Sequence, residues 1–432
     1  MSDPAQAVTR LPSWPDSRLV LPRAAQWLID HDGKVTPVSD LLDGFCRQLL
    51  EEGVPLFRVT TGLPSMHPLT LTRAFIWQRD QGVTMAERGH EVMQSDEYLK
   101  SPIAVIHEGA AAIRRQIELA ETPMDFGILP ELKQAGVTDY LVLPMRFTQG
   151  PGMGGQGMGR TSGQNVSFMS FATDRKGGFR PDELNYLMEL MPLIALRMEL
   201  EASRRMSRDL LTTYLGQSPA ERVLNGDIRR GRGYEVEAAI WLSDLRGFTR
   251  FSDRNETVEV VATLDRYFDA MAGPIQAHGG EVLKFIGDGV LAIFRVEEGN
   301  TLEAACRRAL TAAENAFADL HELNQGRAIA GVAPLKVGLG LHVGKVVYGN
   351  IGSRDRLDFT VIGRAVNEVA RLEAQTKAVD KPLLASAAFA EAINGDTAAP
   401  YRLDSIGFHA LRGVREPQEL FTLPTERLAG YE

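Results

Sequence analysis

The stretch EVLKFIGDGVLAIF, residues 281–294, decides the fold of the C-terminal half of the chain. Apolar residues flank Gly287-Asp288 on both sides, which predicts two antiparallel strands joined by a tight turn. The stretch also contains one cation, Lys284, and one anion, Asp288, which are costly to bury without partners. We therefore expect either that these two side chains pair with each other or that something outside the chain pairs with them.

Length and composition narrow the class of protein. The chain has 432 residues, enough for two or three domains, and its 44% hydrophobic and 24% charged content is typical of soluble globular proteins. The formal net charge of −9 gives no electrostatic support for nucleic-acid binding. No apolar run reaches the roughly 18 residues of a membrane span, and no signal peptide is apparent. The two cysteines, Cys46 and Cys306, lack metal-type spacing and fit reduced thiols, so we expect a cytoplasmic protein.

Periodicity and composition predict four segments along the chain: an N-terminal extension (1–38), a mixed α/β regulatory domain (39–200), a helical linker (201–235) and a second domain (236–425). Four β-like runs lie in the first domain: Leu56–Val59, Leu71–Trp77, Asp139–Met145 and Val166–Ala172. The Gly-rich residues 150–164 predict a flexible loop. One helical pattern covers residues 181–215. It either packs on its own domain or leaves that domain to pair with a second copy of itself.

The second domain places two aspartates at strand ends. Its pattern predicts an α+β sandwich, with helices over a mostly antiparallel sheet. Asp244 ends an apolar strand in SDLRGFT, and Asp288 lies in the predicted hairpin turn. Two carboxylates at adjacent strand ends could share hard divalent cations such as Mg²⁺. The alternative, that Asp244 caps the next helix and Asp288 is only a turn residue, stays open at this point.

Two further segments suit a nucleotide. Residues 245–249, LRGFT, open a helix whose free N–H groups fit a polyphosphate, and Gly247 permits close approach. Asn367 and Arg371 are four residues apart on a predicted helix and therefore share one face. An arginine beside an amide suits a phosphoryl oxygen and a sugar, although a solvated helix face has the same pattern.

Taken together, these motifs resemble a known catalytic domain. LSDLRGFT (242–249), KFIGDGVLAIF (284–294), GLGLHVGKVVYGNIGS (338–353) and TVIGRAVNEVARLE (360–373) occur in an order and spacing similar to those of class III nucleotidyl cyclases, over residues 236–423. The resemblance implies a ferredoxin-like antiparallel sheet with helices and conversion of ATP to cyclic AMP. It further implies two Mg²⁺ or Mn²⁺ ions per active site, and a homodimer whose active sites are shared between chains.

The resemblance also implies roles for individual residues. Asp244, Asp288 and the backbone of Leu245 match the metal ligands of the family. Asn367 matches the residue that orients the ribose, and Arg371 the residue that stabilises the transition state at the α-phosphate.

Substrate-binding positions follow in the same way. Lys284 matches the base-reading lysine of adenylyl cyclases, and Thr360 matches its partner, where many relatives carry aspartate. Threonine there looks like the subgroup that includes bicarbonate-responsive cyclases, so a bicarbonate response is a hypothesis. The remaining substrate-binding positions implied are Gly247, Phe248 and Thr249, and a late cation that is either Arg415 or Arg412. Arg364 stands where relatives often have aspartate, and the sequence offers no account of that change.

The first domain resembles a GAF-type sensor only in its helix–strand order and its long terminal helix. Its ligand is unknown, and a purely dimerising role is nearly as well supported. Two alternatives to an adenylyl cyclase also stay open: a guanylyl cyclase, and a catalytically silent nucleotide-binding or dimerisation module. A diguanylate cyclase is disfavoured, since the sequence has no GGDEF-like segment.

Overall fold

The computed structural model describes residues 21–30, 36–67, 70–147, 166–231, 233–297, 299–399, 401–424 and 427. The chain divides into two compact units, Met1–Leu210 and Leu211–Glu432. The predicted Gly-rich loop at 150–164 lies outside the described residues. Within the part of the chain that is described, no helix combines the length and apolarity that a membrane crossing requires.

The first unit is built on a six-stranded sheet in the order β3-β2-β1-β6-β5-β4. Its strands are β1 Arg58–His67, β2 Thr70–Gln78, β3 Gly82–Arg88, β4 Ile113–Arg115, β5 Asp139–Arg146 and β6 Val166–Thr173. Its helices are α1 Arg23–Ile29, α2 Val38–Glu51, α3 Asp96–Leu99, α4 Pro102–His107 and α5 Ile128–Gln134, with a 3-10 turn at His90–Gln94. The sequence missed β3 because this edge strand has no buried residue and hence no apolar alternation.

Helix α6, Pro181–Leu215, covers the predicted range as one helix and contains Pro192, at which the sequence predicts a kink. Leu187, Leu190 and Ile194 bury one face of it in the core of the first unit. Near its end Asp209 accepts a hydrogen bond from Arg73 of β2 at 2.7 Å. The helix therefore packs on its own unit along most of its length.

The second unit is built on an eight-stranded sheet in the order β13-β14-β12-β10-β7-β9-β8, with β11 paired to β10. Its strands are β7 Gly233–Leu245, β8 Glu281–Ile286, β9 Gly289–Arg295, β10 Val337–Gly352, β11 Leu357–Ile362, β12 Leu383–Ser386, β13 Asp404–His409 and β14 Gln418–Thr422. Its helices are α7 Gln217–Leu224, α8 Phe248–Ser252, α9 Thr257–Ala277, α10 Leu302–Ile329, α11 Arg364–Thr376 and α12 Ala387–Gly395. Among the described pairings only β10 with β12 is parallel. The predicted α+β class is confirmed.

The central strand β7 is covered on both faces, which explains its nearly continuous apolar sequence. Ala239 and Trp241 pack into a core that contains residues of α9 and α10. Ala238 and Ile240 point to the other face, into a core that contains Ala365 of α11. This arrangement fixes the inner face of α11 against the sheet and leaves its opposite face available for a site.

Candidate active site

Asp244 and Asp288 lie side by side where β7 ends and the β8–β9 hairpin turns. Ser243 pairs with Val290 across the β7–β9 ladder, and this register brings Asp244 to the predicted turn. The two carboxyl groups share a hydrogen bond. Burial, and then the negative charge of Asp288, raise the pKa of Asp244 to about 7.

A third acid, Glu373 of α11, faces this pair, and the sequence analysis gave it no role. Its pKa is raised by burial and by the charge of Asp288, and Arg246 acts in the opposite direction. A signal for it existed in the glycines of β10. Gly338 pairs with Asp244, and a Cβ atom on Gly338 would lie 3.2 Å from Glu373 Oε1. Only a residue without a side chain lets α11 come this close to β10.

The acid pair fits a divalent cation. Among the described residues, neither carboxylate belongs to an ion pair, so no side-chain cation offsets their mutual repulsion, which the shared hydrogen bond and a backbone hydrogen bond at Leu245 reduce. The described residues contain no group of three or more His, Cys, Asp or Glu side chains that could hold a metal. Two carboxylates alone suit Mg²⁺, which is commonly bound through one or two carboxylates, water and substrate phosphates.

Lys284 does not pair with Asp288, and it is not buried. Its Nζ binds the carboxylate of Asp358 on β11, with the two side chains 42% and 39% exposed. This hydrogen bond and the charge of Lys284 lower the pKa of Asp358. Both of our sequence-based alternatives for Lys284 therefore missed a partner elsewhere in the chain. Asp358 and Thr360 are two residues apart on one strand and point to the same face, so this partner lies beside the predicted base-reading threonine.

Asn367 and Arg371 lie on the outer part of α11 and line one cavity of about 910 Å³, together with Arg364 and Arg415. Of the two candidates for the late cation, Arg415 lines this cavity and Arg412 is not among its described lining residues. Neither the two aspartates nor Lys284 and Thr360 are among them. This cavity thus gathers Asn367, Arg371 and Arg415, and the other predicted side chains are not among its described lining residues.

A left-handed glycine shapes the loop after Asp244. Gly247 is left-handed, with φ of 78°, and precedes the short helix α8. Phe248 packs against the core of the second unit, and Thr249 is exposed. Arg246 donates hydrogen bonds to the carbonyl oxygens of Thr376 and Lys381, which ties this loop to the end of α11.

Arg364, for which the sequence offered no account, belongs to a chain of polar contacts. Its Nε donates to Oε1 of Glu368 at 2.7 Å. The other oxygen of Glu368 lies 2.9 Å from Nε2 of His342 on β10. Nδ1 of His342 lies 2.8 Å from the hydroxyl of Ser386 at the start of α12. This series of polar contacts connects three elements of the second unit. The sequence motifs gave no signal for it.

The family model described as "Adenylate and Guanylate cyclase catalytic domain" matches residues 234–423. Residues 234–423 therefore form a catalytic domain of this adenylate and guanylate cyclase family, as the resemblance of the motifs implied.

Two curated relatives are similar to part of the chain. Adenylate cyclase 1 of Rhizobium meliloti (strain 1021) is 32% identical over 196 residues, which are 44% of this chain and 29% of that protein. Adenylate cyclase of Anabaena cylindrica is 36% identical over 153 residues, which are 35% of this chain and 30% of that protein. The chain thus spans less than a third of the length of these two relatives.

Two solved structures are also similar to this chain. The adenylyl cyclase CyaB from P. aeruginosa is 25% identical, with a TM-score of 0.41, and the match covers 45% of this chain and 97% of that one. The guanylyl cyclase Cya2 is 31% identical, with a TM-score of 0.38, and the match covers 45% of this chain and 95% of that one.

Proposed function

We propose that this protein is an adenylate cyclase, which converts ATP to 3′,5′-cyclic AMP and pyrophosphate. The observation that carries the proposal is the pair Asp244 and Asp288, two uncompensated carboxylates held together inside a cyclase catalytic domain. A catalytically silent module would have no need for an arrangement that raises the free energy of its own fold.

The carboxylates of Asp244 and Asp288, with the backbone carbonyl of Leu245, would hold two Mg²⁺ or Mn²⁺ ions. Such ions would neutralise charge on the triphosphate and lower the pKa of the ribose 3′-OH. The ribose 3′-OH loses its proton to water as its oxygen attacks the α-phosphorus, the bond from this phosphorus to the oxygen of the β-phosphate breaks, and pyrophosphate leaves. The loop at Gly247, Phe248 and Thr249 would contact the phosphates through its backbone.

The basic side of the site would bind and orient the nucleotide. Asn367 holds the ribose, and Arg371 neutralises the charge that builds up on the α-phosphate during the transfer. Arg415, which lines the same cavity as these two residues, contacts the terminal phosphates. Lys284 donates to a ring nitrogen of adenine, and the hydroxyl of Thr360 accepts from the adenine amino group.

These roles require two copies of the chain. The acid pair is not among the described residues that line the cavity of Asn367 and Arg371. A head-to-tail pair of catalytic domains related by a two-fold axis would put the acids of one chain opposite the α11 face of its partner, which gives two equivalent sites. We therefore propose a homodimer with active sites at its interface.

The first unit would regulate this activity as a GAF-like sensor domain. The helix–strand order of this unit and its long terminal helix α6, which ends at Leu215 shortly before the catalytic domain in sequence, support this role. If the first unit regulates, a chain that lacks residues 1–215 will differ in rate from the full chain. A bicarbonate response, inferred from Thr360, predicts a higher rate on adding bicarbonate at constant pH.

Product analysis tests the proposed function. The purified chain would be incubated with ATP or GTP and with Mg²⁺ or Mn²⁺, and the products separated by chromatography. We expect cyclic AMP from ATP, its loss in Asp288→Ala, and its retention in Asp319→Ala, which removes an exposed acid of α10. Cyclic GMP as the main product would favour the guanylyl cyclase alternative. No cyclic product from either the full chain or the chain without residues 1–215 would favour a silent module.

A further inference from the structure

His342 is a polar side chain inside the sheet of the catalytic domain, only 8% exposed. It lies on β10 between the buried Leu341 and Val343, and each of its ring nitrogens has a partner on a different element. The two hydrogen bonds of such a buried imidazole are directional. They therefore fix the orientation of the groups around the ring.

The partners determine which nitrogen carries the proton. The ionised carboxylate of Glu368 can only accept, so the neutral ring donates Nε2–H to it. The Ser386 hydroxyl oxygen already accepts from the backbone N–H of Phe389, and its own hydrogen is free to donate to Nδ1. Burial, with a further contribution from the Arg364 charge, lowers the pKa of His342 and so favours this neutral form; the charge of Glu368 opposes it.

Glu368 links the fixed imidazole of His342 to α11. It follows Asn367 directly in sequence and lies one helical turn before Arg371, and all three line the same cavity. Its second oxygen accepts from Arg364, whose side chain is 92% exposed. An ion pair with so exposed a partner adds little rigidity. The buried His342 is therefore the anchor of this carboxylate.

The apolar contacts of α11 do not fix the rotation of the helix about its axis. Ala365, Val369 and Leu372 bury that side and set the distance of the helix from the sheet. Apolar contacts are non-directional and permit small rotations of a helix about its axis. A rotation would displace Asn367 and Arg371, and a displacement of about 1 Å at a reacting group can cost about 100-fold in rate.

We propose that His342 and Glu368 are positioning residues of the cyclase reaction: their hydrogen bond fixes the rotation of α11 and so aims Asn367 and Arg371 at the ribose and the α-phosphate. The inference rests on the proposed function. Arg364, in place of the aspartate that relatives often carry, is the exposed second partner of the same carboxylate.

Steady-state kinetics of the full chain with ATP tests this role through Glu368→Ala, Glu368→Gln and the matched control Glu322→Ala, which removes an exposed glutamate of α10. We expect Glu368→Ala to lower kcat by about 10- to 100-fold with KM changed less than about threefold, because orientation acts mainly in the transition state. The amide oxygen of Glu368→Gln still accepts from Nε2–H, so this variant should keep kcat within about threefold of wild type. The control should match wild type.

A double-mutant cycle with His342→Asn separates positioning from general damage to the fold. If the two residues act through one hydrogen bond, the loss of kcat in the double variant will be close to that of the worse single variant. Wild-type kcat in Glu368→Ala, an equal loss in Glu368→Gln and Glu368→Ala, or fully multiplied losses in the double variant would each overturn the inference. Absence of any cyclic product from the wild-type chain would overturn the proposed function and this inference with it, and the wild-type assay therefore tells the two failures apart.

Discussion

The two charged regions of the catalytic domain differ in how their charges are offset. In the acid region, Asp244 and Asp288 lie against each other, and Glu373 adds a third negative charge nearby. On the basic side, Lys284 already binds Asp358, and Arg364 already binds Glu368. The acid region therefore suits a cation from outside the chain, whereas any nucleotide that binds the basic side must join or displace ion pairs that are already there.

The largest effect that this comparison predicts is on the acid region. We expect Asp244→Asn to lower cyclic AMP formation by about 1000-fold or more, because a metal ligand is lost and the metal activates the nucleophile. The same change removes a repulsive charge, so the melting temperature of the metal-free protein should rise by about 2–4 °C. Calorimetry in a chelator and a product assay measure the two effects, with Asp319→Asn as the control. A lower melting temperature would contradict the claim that the acid pair is uncompensated.

A smaller effect is expected on the basic side, where the charge has a partner within the chain. We expect Lys284→Ala to lower kcat/KM for ATP by about 10- to 100-fold, because one hydrogen-bond donor to the base is lost while the metal site stays intact. Relative rates with ATP and GTP measure the change in base preference. Lys176→Ala, which removes an exposed lysine in the first unit, is the matched control. Unchanged discrimination between ATP and GTP would show that Lys284 does not read the base.

The smallest expected effect concerns the pH dependence of stability. Burial lowers the pKa of His342, so the unfolded chain binds more protons than the folded chain below about pH 6.5. The contribution of His342 to stability is therefore full above about pH 6.5 and is lost as the pH falls. We expect the melting temperature of the wild type to fall more steeply between about pH 6.5 and 5 than that of His342→Asn. Parallel curves would contradict the neutral, buried state of His342.

The sequence alone predicted those parts of the site that depend on local patterns. The hairpin, its turn at Asp288, the strand end at Asp244 and the helix of Asn367 and Arg371 follow from alternation, glycine placement and helical spacing. Each of these signals is contained within about 15 residues, so no knowledge of the tertiary fold was needed.

The partners of the site residues were not predictable in this way. Asp358 is 74 residues from Lys284 in sequence, and their contact depends on how β8 and β11 lie in the sheet. The charge of Glu373 acts on the acid pair because α11 packs closely over the glycines of β10. His342 is an unremarkable polar residue in an apolar strand until Glu368 and Ser386 are placed beside it. Local periodicity carries no information on such long-range pairings.

Complementation between two inactive variants tests whether the acid region of one chain and the α11 face of another form one active site. Asp288→Ala and Arg371→Ala would be purified separately, mixed in equal amounts under conditions that exchange subunits, and assayed for cyclic AMP. Random pairing makes half of the dimers mixed, and each mixed dimer has one site with both intact halves. If the site is shared between chains, the mixture will recover about a quarter of wild-type activity. A mixture that forms mixed dimers and stays as inactive as its components would contradict a site shared between chains.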